Sequence, residues 1–414
     1  MALKYLYVPS GYKAGTAYGV LPNDSTADFD LFQRESTATR TNKDGLIELM
    51  SSNVPRIDYS DGGCPSLLLE TQRTNKCRAS EDVSVWGKNY SSTTVVNSNQ
   101  VISPDGNKNA ALVTTEVANG GVFSLSMTTV SNTYYSSSVY AKHISGESKV
   151  RFVITTNLHF GSGDKKITVD LSNGSIVSNE LSGVAEAKVI DVGNGWYRLI
   201  IEDSNVVSGG GGSAKIAVYA DSNSFSQFSV WGGQIEVGNY TSSYIPNSGT
   251  TEGSQTTKRG DAAKYAGNFE FNSTEGVLEA RFKAVPIAIP TSRITLGATD
   301  SNRVTLGFLG GSNDPKPFLL IKDPSGGVDE IGVSMPSSFN LFEYNTYKFK
   351  FQSGNNELKI NGELVEIDNT FKTHTFLFDE ALRNIGLNYY ATSTSRVFYG
   401  GIQHIKVYDS VTDF

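Results

Sequence analysis

Glu366 and Asp368 stand two residues apart in the stretch VEIDNTF. On a strand, alternate residues face the same side, which would put two carboxylates ~7 Å apart, near the separations used for nucleophile and acid in glycoside hydrolysis. The strand pattern of such glycanases is Glu-x-Asp-x-x-Glu, and here the third acid is missing. Phe371 occupies its place, and no other stretch spells the pattern. The pair therefore reads as a solvated strand face, and no catalytic residue is expected. The same two carboxylates could instead hold calcium, with Asp314, Asp323 and Asp329 competing for that role. No metal site and no cofactor is expected from them. His143, His159, His374 and His404 are scattered at spacings that build no metal centre. The glycine-rich stretches GSG (161 to 163) and SGGGGS (208 to 213) lack the strand-turn-helix setting that a serine nucleophile or a phosphate loop needs.

Binding chemistry is better represented than catalysis. Sugar rings present flat apolar faces that stack on Trp or Tyr, while nearby amides and carboxylates satisfy their hydroxyls. Trp86, Trp196, Trp231, Tyr134, Tyr135 and Tyr140 fall between residues 76 and 250. Trp196 and Trp231 lie in the most apolar strand-like runs and read as core. Tyr134 and Tyr135, with Tyr389 and Tyr390 in GLNYYATS, are left as the candidate glycan contacts.

The elements that would position these residues are strands. Alternating runs such as KVRFVITT, WYRLIIE, AKIAVYA and RVFYGGIQHIKVYD are bounded by Gly, Asn, Asp and Ser clusters. Regularly spaced short strands predict an all-β chain of two antiparallel β-sandwich (jelly-roll) domains preceded by an extended N-terminal arm. The boundaries fall at an arm over 1–75, a first sandwich over 76–250, a polar linker over 251–264 and a second sandwich over 265–414. Asn361-Gly362 in ELKINGELVEI predicts a two-residue hairpin turn. The SGGGGS stretch reads as a flexible hairpin loop between pairing strands.

Composition agrees. Of 414 residues, 38% are hydrophobic and 19% charged, with 41 Gly, 20 Tyr and 21 Phe, the balance of a turn-rich β protein. A net charge of -7 without any basic block argues against nucleic acid as a partner. No apolar run approaches the ~18 residues of a membrane span, so no membrane insertion is expected, and no signal peptide is expected from the first residues. Cys64 and Cys77 read as two unrelated thiols.

Residues 27–75 carry the most specific motif: Phe32, Arg34, Ser36, Ala38, Thr39 and Arg40, then Asn53, Pro55, Arg56, Asp58 and Tyr59, then Leu67 to Glu70 and Arg73 to Asn75. This segment resembles one that recurs in virion proteins of tailed bacteriophages. Residues 76–250 are similar to jelly-roll modules of the carbohydrate-binding type, and residues 265–414 resemble a laminin-G or concanavalin A-like sandwich. The resemblance implies a virion structural protein, a head or tail fibre, appendage or decoration subunit, made in the bacterial cytoplasm and assembled into the particle. It implies capsid, neck or tail proteins and host-surface glycans as partners, a homo-oligomer, and no enzymatic activity. A virion depolymerase and a purely structural capsid-stabilising protein are the alternatives.

Within the arm, Asp61-Gly62-Gly63 turns the chain, and Leu67, Leu68 and Leu69 form a short strand docking onto the first sandwich. Arg56, Asp58, Glu70 and Arg73 are expected to form the polar lattice that fixes the arm.

Overall fold

The computed structural model describes residues 3–30, 32–130, 133–156, 165–181, 186–202, 213–263, 265–267, 271–284, 293–297, 299, 301–309, 316–331, 333–340, 343–387, 398–412 and 414. Among them the only α-helix is the single turn Asn369–Lys372, and the rest of the regular structure is antiparallel strand with two 3-10 turns. The all-β sandwich class read from the sequence is the class observed. Two compact units form, and neither is contiguous. One comprises Met1–Thr37, Met50–Thr71 and Arg259–Phe414; the other comprises Ala38–Leu49 and Gln72–Lys258.

The first of these units packs two sheets around one core. Its larger sheet runs Glu363–Val365, Glu357–Ile360, Asn345–Gln352, Glu275–Ala284, Gly400–Tyr408, Ser66–Leu69, Arg56–Asp58, with Leu3–Tyr7 also paired to Gly400–Tyr408. Its partner sheet runs Tyr265–Ala266, Ile385–Gly386, Arg293–Leu296, Arg303–Leu309, Lys316–Asp323, Gly326–Ile331. Strand alternation explains the packing: Leu278, Ala280, Phe282 and Ala284 turn inward, while Glu279, Arg281 and Lys283 turn outward. Asn361 and Gly362 take φ of 51° and 87° in the tight turn between Glu357–Ile360 and Glu363–Val365, the hairpin expected there.

The expected docking of the arm onto the first sandwich is corrected by this sheet. Leu67 pairs with Ile402 and Leu69 with Gly400, while Tyr7 pairs with Ile405. The strand therefore joins the C-terminal sandwich, not the sandwich over 76–250. Its reason is burial: Leu67, Leu69, Tyr5 and Tyr7 are completely inaccessible, each large side chain contributing roughly 1.5–3 kcal/mol on leaving water. Leu68 is half-buried on the other face.

The second unit is a two-sheet jelly roll. Its six-stranded sheet has the order Val95–Val101, Ala110–Thr115, Ser226–Val237, Tyr135–Gly146, Trp196–Glu202, Glu186–Asp191. The seven-stranded sheet runs Ser175–Glu180, Lys165–Asp170, Lys149–Thr156, Ser213–Ala220, Gly121–Phe123, Gly87–Asn89, with Met127–Thr128 beside Ser213–Ala220. Val113, Val139, Phe152, Leu199, Val218 and Phe228 fill the space between the sheets. Trp196–Glu202 and Ser213–Ala220 lie in different sheets, which overturns the hairpin expected across SGGGGS; most of that loop lies outside the described residues.

Candidate functional site

The outer face of the six-stranded sheet carries a second apolar cluster of Tyr140, Trp231, Tyr244, Trp196 and Ala110. A β-bulge creates it. Phe228 and Val230 point into the core, and strict alternation would send residue 232 there next. Two glycines intervene instead, and Ile235 is the next core residue. Tyr140 pairs with Trp231 but Ser138 pairs with Gln234, so the register shifts at Gly232, whose φ is 65°. Trp231 is thereby held on the outer face against Tyr140 at 5.4 Å and Tyr244 at 4.8 Å between ring centroids.

The Ala38–Leu49 segment lies over this cluster. Its strand Ala38–Thr41 pairs with the strand that opens at Ile47. Asn42 Oδ1 accepts from the amides of Asp44 (2.9 Å) and Leu46 (3.0 Å), closing the turn. Thr39 donates to the carbonyl of Tyr244, and the Ile47 amide donates to the carbonyl of Pro104 at 2.9 Å.

Between this hairpin and the sheet lies a groove of about 460 Å³, with Trp231 and Tyr244 at its apolar side and Glu81, Asp105, Asn107 and Asn42 at its polar side. The Tyr244 hydroxyl donates to Glu81 at 3.2 Å and shares a 2.8 Å hydrogen bond with Ser80. Burial pushes the Glu81 carboxyl above its ordinary value; the Tyr244 hydrogen bond opposes this and the charge of Asp105 adds to it. Asp105 is held below its ordinary value: burial works to raise it, but hydrogen bonds from Ser103, Asn107 and Asn109 prevail.

Of the three indole donors in this unit, one lacks an acceptor. The indole N–H of Trp86 reaches the carbonyl of Ala79 at 3.0 Å, and that of Trp196 reaches the carbonyl of Ile102 at 3.0 Å. Trp231, with 0% of its surface exposed, has no hydrogen-bond partner for its N–H. Such a group costs about 1–3 kcal/mol when left unpaired. A second cleft, of about 550 Å³, shares the lining residues Glu81 and Pro246 with the first. Asp82, Ser84, Ser98, Asn99, Ser248 and Thr250 give it a hydroxyl, amide and carboxylate lining.

The residues singled out from sequence fall elsewhere. Tyr135 is buried, its hydroxyl accepting from the Val130 amide at 2.9 Å, which removes it from any exposed contact surface. Tyr134 is half-buried at the head of the same strand. Tyr389 and Tyr390 lie outside the described residues. Trp196 and Trp231 are buried as read, yet Trp231 also lines the groove, a second role that the core reading missed. The signal available for it was the Trp-Gly-Gly triplet interrupting an alternating strand.

Glu366 and Asp368 line a cleft of about 710 Å³ in the other unit, but they follow the last strand of their hairpin and do not alternate on it. Asp368 caps the Asn369–Lys372 turn, accepting from the Thr370 amide at 2.7 Å, and that hydrogen bond holds its carboxyl low. Asp323 is likewise committed to the amides of Ser325 and Leu377, and Asp314 lies outside the described residues. No group of three or more metal-ligating side chains occurs among the described residues. Cys64 is exposed and Cys77 buried, both free; burial pushes the Cys77 thiol up to about 12.

The polar lattice of the N-terminal segment is real but differently composed. The Arg56 guanidinium donates to Glu70 at 2.9 Å and also to Asp261; Arg34 donates to Asp261 at 3.1 Å and to the carbonyls of Ser51, Val54 and Ser36. Asp58 is buried and takes the amide of Ser60 at 3.0 Å. Arg73 belongs to the other unit, where it stacks on Tyr240 at 4.4 Å. Asp261, the acid at the centre, lies in the stretch read as a linker.

No protein-family model matches the chain, and no curated protein does. Three solved structures are similar to parts of it. The carbohydrate-binding module (CBM40) of Ruminococcus gnavus IT-sialidase bound to α2,3-sialyllactose has 17% identity, covers 33% of this chain and 77% of its own, and has a TM-score of 0.25. A leech intramolecular trans-sialidase complexed with 2,7-anhydro-Neu5Ac has 15% identity over 36% of this chain and 26% of its own, TM-score 0.25. Domains LG4-5 of the mouse laminin α1 chain have 9% identity over 83% of this chain and 91% of theirs, TM-score 0.27.

Proposed function

We propose that this chain is a structural protein of a tailed-phage particle and that its jelly-roll unit adheres to glycans of the host surface without cleaving them. The virion part rests on the likeness of residues 27–75 to the recurrent virion segment, with Arg34, Arg56, Leu67, Leu69 and Glu70 all buried and paired or packed. The adhesion part is carried by one observation: a groove of about 460 Å³ in which apolar Leu46, Ile47 and Leu49 stand with the amides of Asn42 and Asn107 and the carboxylates of Glu81 and Asp105, the mixture that a sugar's apolar ring face and hydroxyls require. Single sites of this size bind sugars weakly, so firm adhesion calls for several copies acting together as a homo-oligomer.

The test has two arms. Purified particles of the phage that encodes the chain are digested and imaged; absence of the chain from them removes the virion assignment. Purified chain is titrated with host surface polysaccharide, with Asn107→Ala as the variant that removes an exposed amide of the groove. Adhesion through this groove predicts saturable binding that weakens about tenfold in the variant, the loss of one hydrogen bond of about 1.4 kcal/mol. Equal binding by both proteins removes the groove from the assignment, and release of reducing ends would replace adhesion by hydrolysis.

A further inference from the structure

We infer that the outward face of the larger sheet, in the unit that contains Arg259–Phe414, holds a linear polysaccharide with carboxylates on its rings. It is a contact surface separate from the jelly-roll groove and does not depend on it. The first ground is where strand register puts charge. Lys348 lies opposite Lys359 on one side and Glu279 on the other, and Glu279 lies opposite Lys406. Their strand neighbours Phe349, Leu358, Leu278 and Val407 fill the core, so all of these charged side chains turn outward. Neighbouring strands are ~4.8 Å apart, which sets Lys359, Lys348, Glu279 and Lys406 side by side in one row. Like charges directly opposite on a sheet face are destabilising, and Lys348 against Lys359 is such a pair in a chain of net charge -7. An acidic chain that sets lysine against lysine accepts a local cost that a bound anion removes.

The second ground is that the acids of this face are already engaged. Glu279 accepts from Lys406 at 2.8 Å and from His404 at 3.1 Å, Glu357 accepts from Lys350, and Asp61 accepts from Lys283 at 2.6 Å. Arg281 meets no carboxylate among the described residues: its Nε donates to Gln403 at 2.7 Å and its Nη1 to Thr346 at 3.1 Å, both neutral. Lys359 lies over the ring of Phe414 at 4.6 Å, which shelters its ammonium without neutralising it. Lys348 stands between these two cations, opposite Lys359 and diagonal to Arg281, and all three are partly exposed.

The occupant follows from what lies among the cations. Glu279 and Glu357 repel a polymer of dense charge, and duplex DNA brings one phosphate charge per ~1.7 Å. A polyuronate brings one charge per ring. Its carboxylates face Arg281, Lys348 and Lys359, while its hydroxyls donate to Glu279 and Glu357, a combination that phosphate oxygens cannot offer. Because the cations are spread over three strands, one sugar reaches only one of them, and affinity comes from consecutive rings engaging together.

The experiment uses the whole chain with hexagalacturonic acid as the probe, its fully methyl-esterified form as the uncharged counterpart, galacturonic acid as the monomer and a short duplex DNA as the dense polyanion. Calorimetric titration at low salt is expected to show saturable binding of hexagalacturonic acid that weakens as salt rises. The ester, the monomer and the DNA are expected to bind about tenfold or more weakly. Arg281→Gln with Lys359→Gln is expected to weaken hexagalacturonate binding about tenfold or more, and Lys359→Gln alone by about threefold, a surface trimming that leaves the core intact. Lys88→Gln with Lys108→Gln, exposed lysines of the jelly-roll unit, makes the same change in net charge and is expected to bind as the native chain does. No saturable binding at low salt, an equal loss in the jelly-roll pair, or unchanged affinity in both face variants overturns the inference. DNA or ester binding as tight as that of hexagalacturonic acid overturns the sparsely charged polysaccharide as occupant. Loss of hexagalacturonate binding in Asn107→Ala would move the acidic ligand into the groove and overturn the face as its site. Failure of the face leaves the groove assignment standing, since that is read separately from the effect of Asn107→Ala on host polysaccharide.

Discussion

Arg56 and Asp261, separated by 205 positions in the chain, form a buried ion pair with neither side chain exposed to water. Asp261 also receives Arg34 and the backbone amide of Glu70 at 2.8 Å, so one carboxylate gathers three donors from the N-terminal segment. Desolvation works against the Arg56 charge, but Asp261 and Glu70 outweigh it and raise its affinity for the proton. Removing one partner of such a pair strands the other in a medium that cannot solvate it. Asp261→Ala is therefore expected to destabilise its unit by about 3–5 kcal/mol, measured as a lower urea midpoint. A change below about 0.5 kcal/mol would show that the network is only a bystander, since surface substitutions fall in that range.

The same unit depends on the strand Ser66–Leu69. Leu69 is inaccessible and pairs with Gly400, in a sheet that would otherwise present the Gly400–Ile402 end of its strand as an open edge. Leu69→Ala is expected to cost about 2–5 kcal/mol by equilibrium unfolding, the range for a leucine truncated in a packed core. Deleting residues 1–71 is expected to yield insoluble chain, because it removes three strands of the larger sheet together with Arg34, Arg56 and Glu70 of the ion network. Recovery of soluble, cooperatively folding protein after that deletion would restore the picture of a separable arm.

Acid sensitivity has a specific source in Glu279. Its carboxylate accepts from His404 at 3.1 Å and from Lys406 at 2.8 Å, and these hydrogen bonds, His404 first, hold its pKa at about 2 against an ordinary 4.5. A depressed carboxylate stabilises the fold fully above the unfolded value and loses that stabilisation as pH falls through the folded one. The difference in Tm between the native chain and Glu279→Gln should hold constant at neutral pH, shrink below pH 4.5, and vanish near pH 2. A difference that persists at pH 2 would assign the effect of the substitution to packing and not to charge.

How far the fold could be read in advance follows the range of the forces involved. The Asn361-Gly362 hairpin was legible because both strands and the turn are adjacent in sequence. The pairing of Leu67 with Ile402 was not, since any edge strand with the right alternation would have served, and only the finished sheet selects one. Asp261 was hidden by its neighbours: a polar stretch reads as linker, although Arg34 and Arg56 already required a buried acid. The groove was hidden differently, because Trp231 has the composition of a core residue and is one. What distinguishes it is an unmet donor, a property of three-dimensional satisfaction that residue type alone does not reveal.

Gly232 offers the most direct link between that local geometry and binding. Its φ of 65° belongs to the left-handed region, and a Cβ placed there would lie 2.8 Å from Cδ2 of Tyr140. Gly232→Ala therefore adds backbone strain of about 1–3 kcal/mol and forces the ring of Tyr140 away. Tyr140 packs edge-on against both Trp231 and Tyr244, so its displacement moves the two rings that form the apolar side of the groove. The expected outcome is a folded jelly roll with a lower Tm and a loss of affinity for host surface polysaccharide larger than its loss of stability would explain at 25 °C, where the chain remains native. Near-ultraviolet circular dichroism would report the altered Trp231 environment in the same sample. Unchanged affinity with a clearly changed tryptophan signal would place glycan contact away from these rings, and with it the role assigned to the bulge.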